Sequence, residues 1–202
     1  MADRRADTRS EIVERDVIHS GFSRFERVLV RHRRRDGKEQ LLEREFQHRG
    51  DAVGVLPYDP ERRVGILVRQ LRVPLLARGD GSSNLIEVPA GHLEEGEDAA
   101  GTARREVLEE AGLALRDVEH VVDVFPSAGM ITEKLHLYLG RYVAADRIDA
   151  GGGLSHEGED IEVIEWPLAR MVQAIATGEI RDAKAIILIQ ALMLREPGLF
   201  AT

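Results

Sequence analysis

The segment that decides the fold is residues 91–113, which read GHLEEGEDAAGTARREVLEEAGL. Within it, Glu106, Glu109 and Glu110 fall at spacings of i, i+3 and i+4. A helix turns about 100° per residue, so these carboxylates would share one face and repel each other by roughly a few tenths of a kcal/mol per pair. That cost predicts a compensating positive charge. A hard divalent cation such as Mg²⁺ is the kind that oxygen ligands bind.

The flanking residues indicate where this helix begins and ends. Asp98 is a residue type that caps helix N-termini, and Gly112 suits the left-handed position after the last turn, so we predict a helix over 98–111. Its small and aliphatic positions form one stripe, expected to pack on a sheet: Ala100, Ala103, Val107 and Ala111. The alternative is an acidic face exposed to solvent and balanced by Arg104 and Arg105.

The composition limits the classes of function. The chain has 202 residues, 43% hydrophobic and 32% charged, and 36 Asp and Glu against 28 Lys and Arg give a net charge of −8. A general nucleic-acid binder needs a basic face, so no nucleic-acid partner is expected. The absence of cysteine excludes disulfides and thiol nucleophiles. No secretory signal is visible and no apolar run approaches the roughly 20 residues that cross a bilayer, so we expect a soluble, cytoplasmic protein without a membrane partner.

Hydrophobic alternation predicts a mixed α/β domain preceded by a β-rich extension. Residues 1–20 read as a polar leader, and two strands within 22–48 flank the hairpin signal Asp36-Gly37. Further strands are predicted in DAVGVLPYD, RRVGILVRQ, LIEVPAG, residues 117–125, EKLHLYLGRY and IEVIEW, and helices near 167–177 and 183–195. We therefore predict an α/β/α sandwich on a mixed sheet over 49–202, with an N-terminal antiparallel β extension over 1–48.

Nine positions of the central segment obey one spacing rule, G-x5-E-x7-R-E-U-x-E-E-x-G-U, where U is an aliphatic residue. They are Gly91, Glu97, Arg105, Glu106, Val107, Glu109, Glu110, Gly112 and Leu113. This pattern is the Nudix box, and the chain resembles the Nudix hydrolases. The resemblance implies an enzyme that hydrolyses a nucleoside diphosphate linked to another group, with Mg²⁺ or Mn²⁺ as cofactor. Metal ions suit this chemistry because the negative diphosphate repels nucleophiles.

Carried onto this sequence, the resemblance implies a metal site on the acidic helix. Glu106 and Glu110 would be the principal ligands and Glu109 would assist them. The backbone carbonyl of Ala90 would complete a metal shell, and Gly91 would allow the close backbone approach that this requires.

The resemblance also implies a role for Arg105, which would pair with Glu97 and fix the loop against the helix.

The resemblance further implies where the general base lies. In related enzymes the base is a glutamate of a mobile loop, which here reads SHEGEDIE; Glu157 takes the base position and Glu159 an outer metal-ligand position, and either could act as the base. The alternative is that both are solvated charges of a glycine-rich loop.

The rest of the chain is similar to the nucleoside-diphosphate-sugar pyrophosphatases, which include the ADP-ribose and GDP-mannose hydrolases. The stretches VRQLRVP, IEVPAGHLEEGE, FPSAGMITE and GEDIEVIEWPL carry this similarity. ADP-ribose hydrolases have an S-P-G-G sequence beyond the box, and here Ala128 stands in place of the proline. The stretch TGEIRDAK is similar to the GDP-mannose hydrolases, so both substrates stay open.

Charged residues outside the box supply candidate contacts to the substrate. Arginine forks match phosphate oxygens, and Arg69 and Arg72 lie at the end of a predicted strand. Their alternative role is that of surface charges on an edge strand. The substrate-binding candidates are Arg69, Arg72, Glu133, Lys134, Arg181 and Lys184, of which the last two match positions in the GDP-mannose hydrolases.

The resemblance further implies a homodimer, because in this branch the N-terminal β extension exchanges between subunits. Candidate residues to stack on the nucleobase are Phe46, Tyr58, and Phe22 or Phe25 from a second subunit. A rival from another class of function is a non-catalytic sensor that binds a nucleotide sugar on the same fold. A structural acidic domain without a ligand is the third hypothesis.

Overall fold

The computed structural model describes residues 9–79, 81–94 and 96–201 of the chain. Backbone proximity divides the chain into two compact units. The first holds the described residues up to Gly50 together with Phe125–Glu133, and the second holds Asp51–Val124 and the described residues from Lys134 onward. Each unit is built on its own sheet.

The first unit contains an antiparallel sheet in the order β1-β2-β3, formed by Ser10–Ser20 (β1), Arg24–Arg33 (β2) and Glu39–His48 (β3). The predicted hairpin between β2 and β3 is confirmed, and Gly37 takes a positive φ of 83° in its turn. The expected polar leader is wrong from residue 10 onward, because β1 pairs with β2 along its length and Arg27 faces Asp16 across the strands at 3.4 Å. Residues 1–8 of that leader lie outside the described residues.

The second unit contains a mixed sheet. Its strands are Ala52–Asp59 (β4), Val64–Leu71 (β5), Asn84–Glu87 (β6), Ala90–His92 (β7), Glu119–Val124 (β8), Leu135–Arg141 (β9) and Glu162–Pro167 (β10). They run in the order β10-β5-β4-β9-β8, with β6 beside β5 and β7 beside β4. The pair β4 and β9 is parallel, and the other neighbours are antiparallel.

Helices cover both faces of this sheet. They are Ala99–Ala111 (α2), Leu168–Ala176 (α3) and Ala183–Arg195 (α4), whereas the short helix Val73–Arg78 (α1) buries none of its residues. One buried cluster joins Leu137 of β9 to Leu188 of α4, and the other joins Val55 of β4 to Val107 of α2. These two layers confirm the predicted sandwich and the three predicted long helices. No helix within the described residues is long and apolar enough to cross a bilayer.

Two local predictions differ from the structure. The stretch LIEVPAG forms two strands rather than one, because Pro89 has no N–H to continue a ladder and the chain passes from β5 to β4 at this point. Gly91, expected to end the strand, lies inside β7. The short helix α1 was not predicted; it begins at Val73, next to Pro74, a residue favoured in a first helical turn.

Candidate active site

Helix α2 is positioned by the caps that its sequence predicts. The Asp98 side chain accepts a hydrogen bond from the Gly101 N–H at 2.9 Å, which satisfies one of the free N–H groups at the helix start. Gly112 ends the helix with a φ of 68°, and a Cβ there would lie 2.1 Å from the carbonyl oxygen of Asp149. The packing of Ala103 and Val107 on the sheet then turns the box glutamates inward.

Glu110 is the most deeply buried carboxylate of the helix, with a relative exposure of 1%. Its Oε2 accepts a hydrogen bond from the Ala90 N–H at 3.1 Å, while its Oε1 has no hydrogen-bonding partner among the described residues. Burial, together with the negative charges of Glu106 and Glu159, raises the pKa of Glu110 to about 8, although the hydrogen bond from Ala90 opposes the shift. A buried oxygen with no partner in protein is a position that a cation can fill.

Glu106 lies beside Gly91 of β7. A Cβ on Gly91 would come within 2.0 Å of Glu106 Oε1, so a larger residue there would displace this carboxylate from its position. Burial raises the pKa of Glu106 to about 7; Arg105 opposes that shift, and Glu109 and Glu159 add to it. Both carboxyls therefore bind protons near neutral pH unless another positive charge replaces the proton.

Arg105 forms hydrogen bonds with several carboxylates of the Nudix box. Its Nε and Nη2 donate to Glu97 at 3.0 Å each, and its Nη1 donates to Glu106 at 2.8 Å and to Glu109 at 2.9 Å. The hydrogen bonds from Arg105, followed by one from Thr102, hold the pKa of Glu97 at about 2. The guanidinium thus fixes the orientation of three box carboxylates, and its donors are engaged within the protein.

The glycine-rich loop after β9 is attached to the end of α2. The Gly152 N–H donates to the carbonyl of Glu110 at 3.0 Å, and the Gly153 N–H donates to that of Glu109 at 3.1 Å. These bonds satisfy carbonyls that a helix end leaves free. A Cβ on Gly151 would lie 2.4 Å from the Glu110 carbonyl oxygen, so the close approach needs glycine.

The two loop glutamates differ in their surroundings. Glu159 is half-buried, accepts a hydrogen bond from the Leu154 N–H at 2.8 Å, and its charge raises the pKa of both Glu106 and Glu110. Glu157 is exposed at the end of a short 3-10 turn, 3.8 Å from His156. Glu159 is therefore close enough to affect the pKa values of the box carboxylates, whereas Glu157 is exposed to solvent.

Several cationic candidates are already paired with acids. Arg69 lies opposite Glu162 across β5 and β10 and donates to it at 2.5 Å. Arg72 donates two hydrogen bonds to Glu87, at 2.5 and 2.7 Å, and Lys184 Nζ lies 3.1 Å from the same carboxylate. Burial alone would raise the pKa of Glu87, but Arg72 and Lys184 together lower it.

The remaining candidates lie in different places. Lys184 also bonds Asp182, the N-cap of α4, at 2.8 Å, and Arg181 is exposed just before that cap. Lys134 pairs with Asp51 at 3.2 Å in the second unit. Glu133 belongs to the first unit and lies 3.9 Å from Arg49.

The aromatic candidates for stacking on the nucleobase differ in how deeply they are buried. Tyr58 is only 1% exposed, and its hydroxyl donates to Glu196, so the suggestion that it stacks on a base is wrong. It was a candidate because aromatic residues make up only 4% of the chain, which leaves few side chains that could stack on a base. Phe46 is half-buried and lines a cleft of about 390 Å³ with Met130 in the first unit, while Phe22 is 98% exposed.

The residues on α2 and β7 fit a hard divalent cation. The donors are oxygens, one of them buried without a partner, and Mg²⁺ commonly takes only one or two carboxylates and keeps its waters. Sequence reasoning missed the attachment of the glycine loop to α2 and the network around Glu87. The run Gly151-Gly152-Gly153 was the available signal for the first. For the second, the contact of Lys184 with Glu87 joins residues 97 positions apart.

Comparison with known proteins identifies the family. A family model for the NUDIX domain matches residues 48–188. The GDP-mannose pyrophosphatase of Cronobacter sakazakii (strain ATCC BAA-894) is 34% identical over 92% of this chain and 95% of its own length. That of Escherichia coli O1:K1 / APEC is 32% identical over 91% and 94%. The crystal structure of an ADP compounds hydrolase matches 96% of this chain and 97% of its own with a TM-score of 0.74 at 18% identity, which shows a shared fold. The chain therefore belongs to the NUDIX domain family.

Proposed function

We propose that the protein is a Mg²⁺-dependent pyrophosphohydrolase of nucleoside diphosphate sugars. It would cleave the diphosphate of GDP-mannose, or of ADP-ribose, to a nucleoside monophosphate and a sugar phosphate. The observation that carries the proposal is the buried oxygen of Glu110, which has no hydrogen-bonding partner among the described residues, in a box whose Gly91 makes room for the Glu106 carboxylate. A structural domain would gain nothing from burying acids in this way.

GDP-mannose is the first substrate to test. The relatives that match over nine-tenths of the chain are GDP-mannose pyrophosphatases. Ala128 in place of the proline of ADP-ribose hydrolases weighs in the same direction. ADP-ribose is the second substrate.

The metal ligands would be Glu106 and Glu110, with Glu109, Glu159 and the carbonyl of Ala90 contributing. When bound, Mg²⁺, or Mn²⁺ in its place, would neutralise the diphosphate and lower the pKa of the attacking water. Arg105 acts as a positioning residue, because it holds Glu106 and Glu109 in one orientation.

Glu157 would accept the proton of the attacking water. The water oxygen forms a bond to one phosphorus, and the bond from that phosphorus to the bridging oxygen breaks, with the electron pair leaving on the other phosphate. A solvent-exposed loop residue suits a base that closes over the bound substrate. Glu159 is the alternative base, because it already lies in the field of the box carboxylates.

The substrate contacts would come from both paired and open cations. Glu87 keeps the Arg72 guanidinium and the Lys184 ammonium charged and oriented, so they can face a phosphate without large side-chain movement. Arg69, which pairs with Glu162, and the exposed Arg181 would contact the outer phosphate or the sugar. Glu133 and Lys134 are assigned to the sugar.

A substrate panel tests the proposal. Purified protein is assayed with GDP-mannose, ADP-ribose and ADP-glucose in Mg²⁺ and in EDTA, with products separated by anion-exchange chromatography. We expect Mg²⁺-dependent formation of GMP and mannose 1-phosphate, and its loss in Glu110→Gln. A sensor would instead bind GDP-mannose in calorimetry without forming product, and that outcome would replace the enzyme proposal by the alternative.

We also propose a cytoplasmic homodimer whose subunits meet through the N-terminal extension, residues 1–48, with residues 49–202 as the catalytic domain. The strands β1 and β3 expose the apolar side chains of Ile12, Val17 and Leu41, and Phe22 is exposed in the turn between β1 and β2. Apolar surface of this kind is what a contact with a second subunit would bury. Light scattering after gel filtration should give twice the chain mass for the wild type and the chain mass for Phe22→Asp combined with Val17→Asp. A wild-type monomer would contradict the proposal.

A further inference from the structure

Two histidines and an aspartate of β8 and β9 meet on one face of the sheet. In the antiparallel register, Asp123 lies opposite His136 and His120 lies opposite Tyr138. Residues three apart on a regular strand point to opposite faces, so His120 and Asp123 would ordinarily face away from each other. The register shifts between His120 and Val122, and the extra residue of this β-bulge turns Asp123 onto the same face as His120.

Both imidazoles point at one oxygen. His120 Nε2 lies 2.7 Å and His136 Nδ1 lies 2.8 Å from Asp123 Oδ1. The three ligand atoms all lie within 4.8 Å of one another, and no other three histidine, cysteine or acidic side chains do so among residues 9–79, 81–94 and 96–201. Ligands at about 2.0–2.2 Å from a tetrahedral Zn²⁺ are about 3.3 Å apart, so an ion requires only small side-chain shifts.

The side chains behind the cluster hold the imidazoles in place. The second nitrogen of His136, Nε2, lies 3.5 Å from Asp51 Oδ2, and that carboxylate pairs with Lys134 at 3.2 Å. A metal-bound histidine commonly has its far nitrogen held by a carboxylate in this way. The ring of His120 stands edge-on to Tyr138 with centroids 5.4 Å apart.

The donor set and its exposure favour one class of cation. Two imidazole nitrogens and a carboxylate oxygen suit borderline ions such as Zn²⁺, whereas Mg²⁺ prefers oxygen alone. The side chains of His120 and Asp123 are 49% and 44% exposed, which leaves a coordination position for water, and that of His136 is 14% exposed. We propose that His120, Asp123 and His136 form a Zn²⁺ site that shares no residue with the carboxylates of α2 and ties the edge strand β8 to β9.

Zn²⁺ titration of the full-length, tag-free protein tests the site. Excess Mg²⁺ is kept present throughout, and each titration is repeated in the Glu110→Gln background, so that the carboxylates of α2 do not contribute. We expect about one Zn²⁺ per chain in calorimetry, unchanged by Glu110→Gln. His120→Asn and His136→Asn should each weaken binding by about 100-fold or more, and Asp51→Asn by about 10-fold, in line with the effect of removing an outer partner.

The matched control is His19→Asn, which removes an exposed histidine of β1 and should leave Zn²⁺ affinity unchanged. Folding of each variant is checked by circular dichroism. X-ray absorption of the wild-type Zn²⁺ complex needs no variant and should show two imidazole ligands. Absence of Zn²⁺ uptake by the wild type, a complex without imidazole ligands, or equal affinity in the folded His136→Asn variant would each overturn the proposal, leaving a hydrogen-bonded His-Asp-His network.

Discussion

Removing the charge of Glu110 should make the metal-free protein less sensitive to pH. The structure raises the pKa of this carboxyl from about 4.5 to about 8, chiefly through burial. A carboxyl with a raised pKa contributes stability that is fully present below the unfolded pKa and is lost as pH rises through the folded pKa. The loss between pH 5 and pH 9 is on the order of 4 kcal/mol, since each pKa unit corresponds to about 1.4 kcal/mol.

The assay compares wild type with Glu110→Gln in EDTA at several pH values and one protein concentration. The stability of Glu110→Gln relative to wild type should rise by that amount between pH 5 and pH 9, which for a chain of this length corresponds to roughly 10 °C in Tm. Glu87 and Glu97 have lowered pKa values, so their contributions are complete by pH 5 and do not enter this window. Glu43→Gln, an exposed carboxylate of β3, is the control and should behave as wild type.

Mg²⁺ should reverse the effect in the wild type alone. At about 100 times its Kd, a cation that binds only the folded state adds about 2.7 kcal/mol, and Glu110→Gln should show little of this gain at pH 9. A difference between the two proteins that stays within about 1 kcal/mol from pH 5 to pH 9, or an equal response to Mg²⁺, would refute the assignment of Glu110 as a buried cation ligand.

Three further substitutions test the rest of the site. Gly91→Ala places a methyl group against Glu106 and should lower kcat by about 100-fold with the fold retained in circular dichroism, because displacing a ligand by about 1 Å has effects of that size; a wild-type kcat would remove the reason for glycine there. Glu157→Gln should lower kcat by about 10²–10⁴-fold with KM for GDP-mannose unchanged, and an unaltered kcat would move the base elsewhere. The lysine of Arg105→Lys cannot reach Glu97 and Glu106 together, so this variant should need about 10-fold more Mg²⁺ for half-maximal rate. An unchanged Mg²⁺ requirement would show that Arg105 does not position the metal ligands.

The helix and its acidic face could be predicted because their determinants are local. Asp98, Gly112 and the aliphatic stripe lie within one turn of the groups they act on, so spacing alone specifies the caps and the buried face. The alternation of Leu135, Leu137 and Leu139 likewise assigned one face of β9 to the core. The position of each carboxylate in such a segment can be derived from the sequence because helix geometry converts sequence distance into position.

Features that depend on distant partners could not be predicted. Arg72 and Lys184 carry charges that suit a phosphate, but Glu87, which holds both, comes from another strand. The pairing of β1 was hidden because its charged positions look like a solvated leader until β2 supplies opposite charges. The bulge that gathers His120 and Asp123 follows from a register shift, which no local pattern reveals.

The attachment of the glycine loop to α2 distinguishes residues that must stay constant, the glycines, from residues that can vary, those that follow in the loop. The N–H groups of Gly152 and Gly153 hold the carbonyls of Glu110 and Glu109, so main-chain atoms set where the loop starts. Residues 154–160 could therefore be exchanged between homologues as a unit while the glycines keep the starting point constant. In such chimeras the loop sequence would vary while the carboxylates of α2, which the proposed cation site requires, keep their positions.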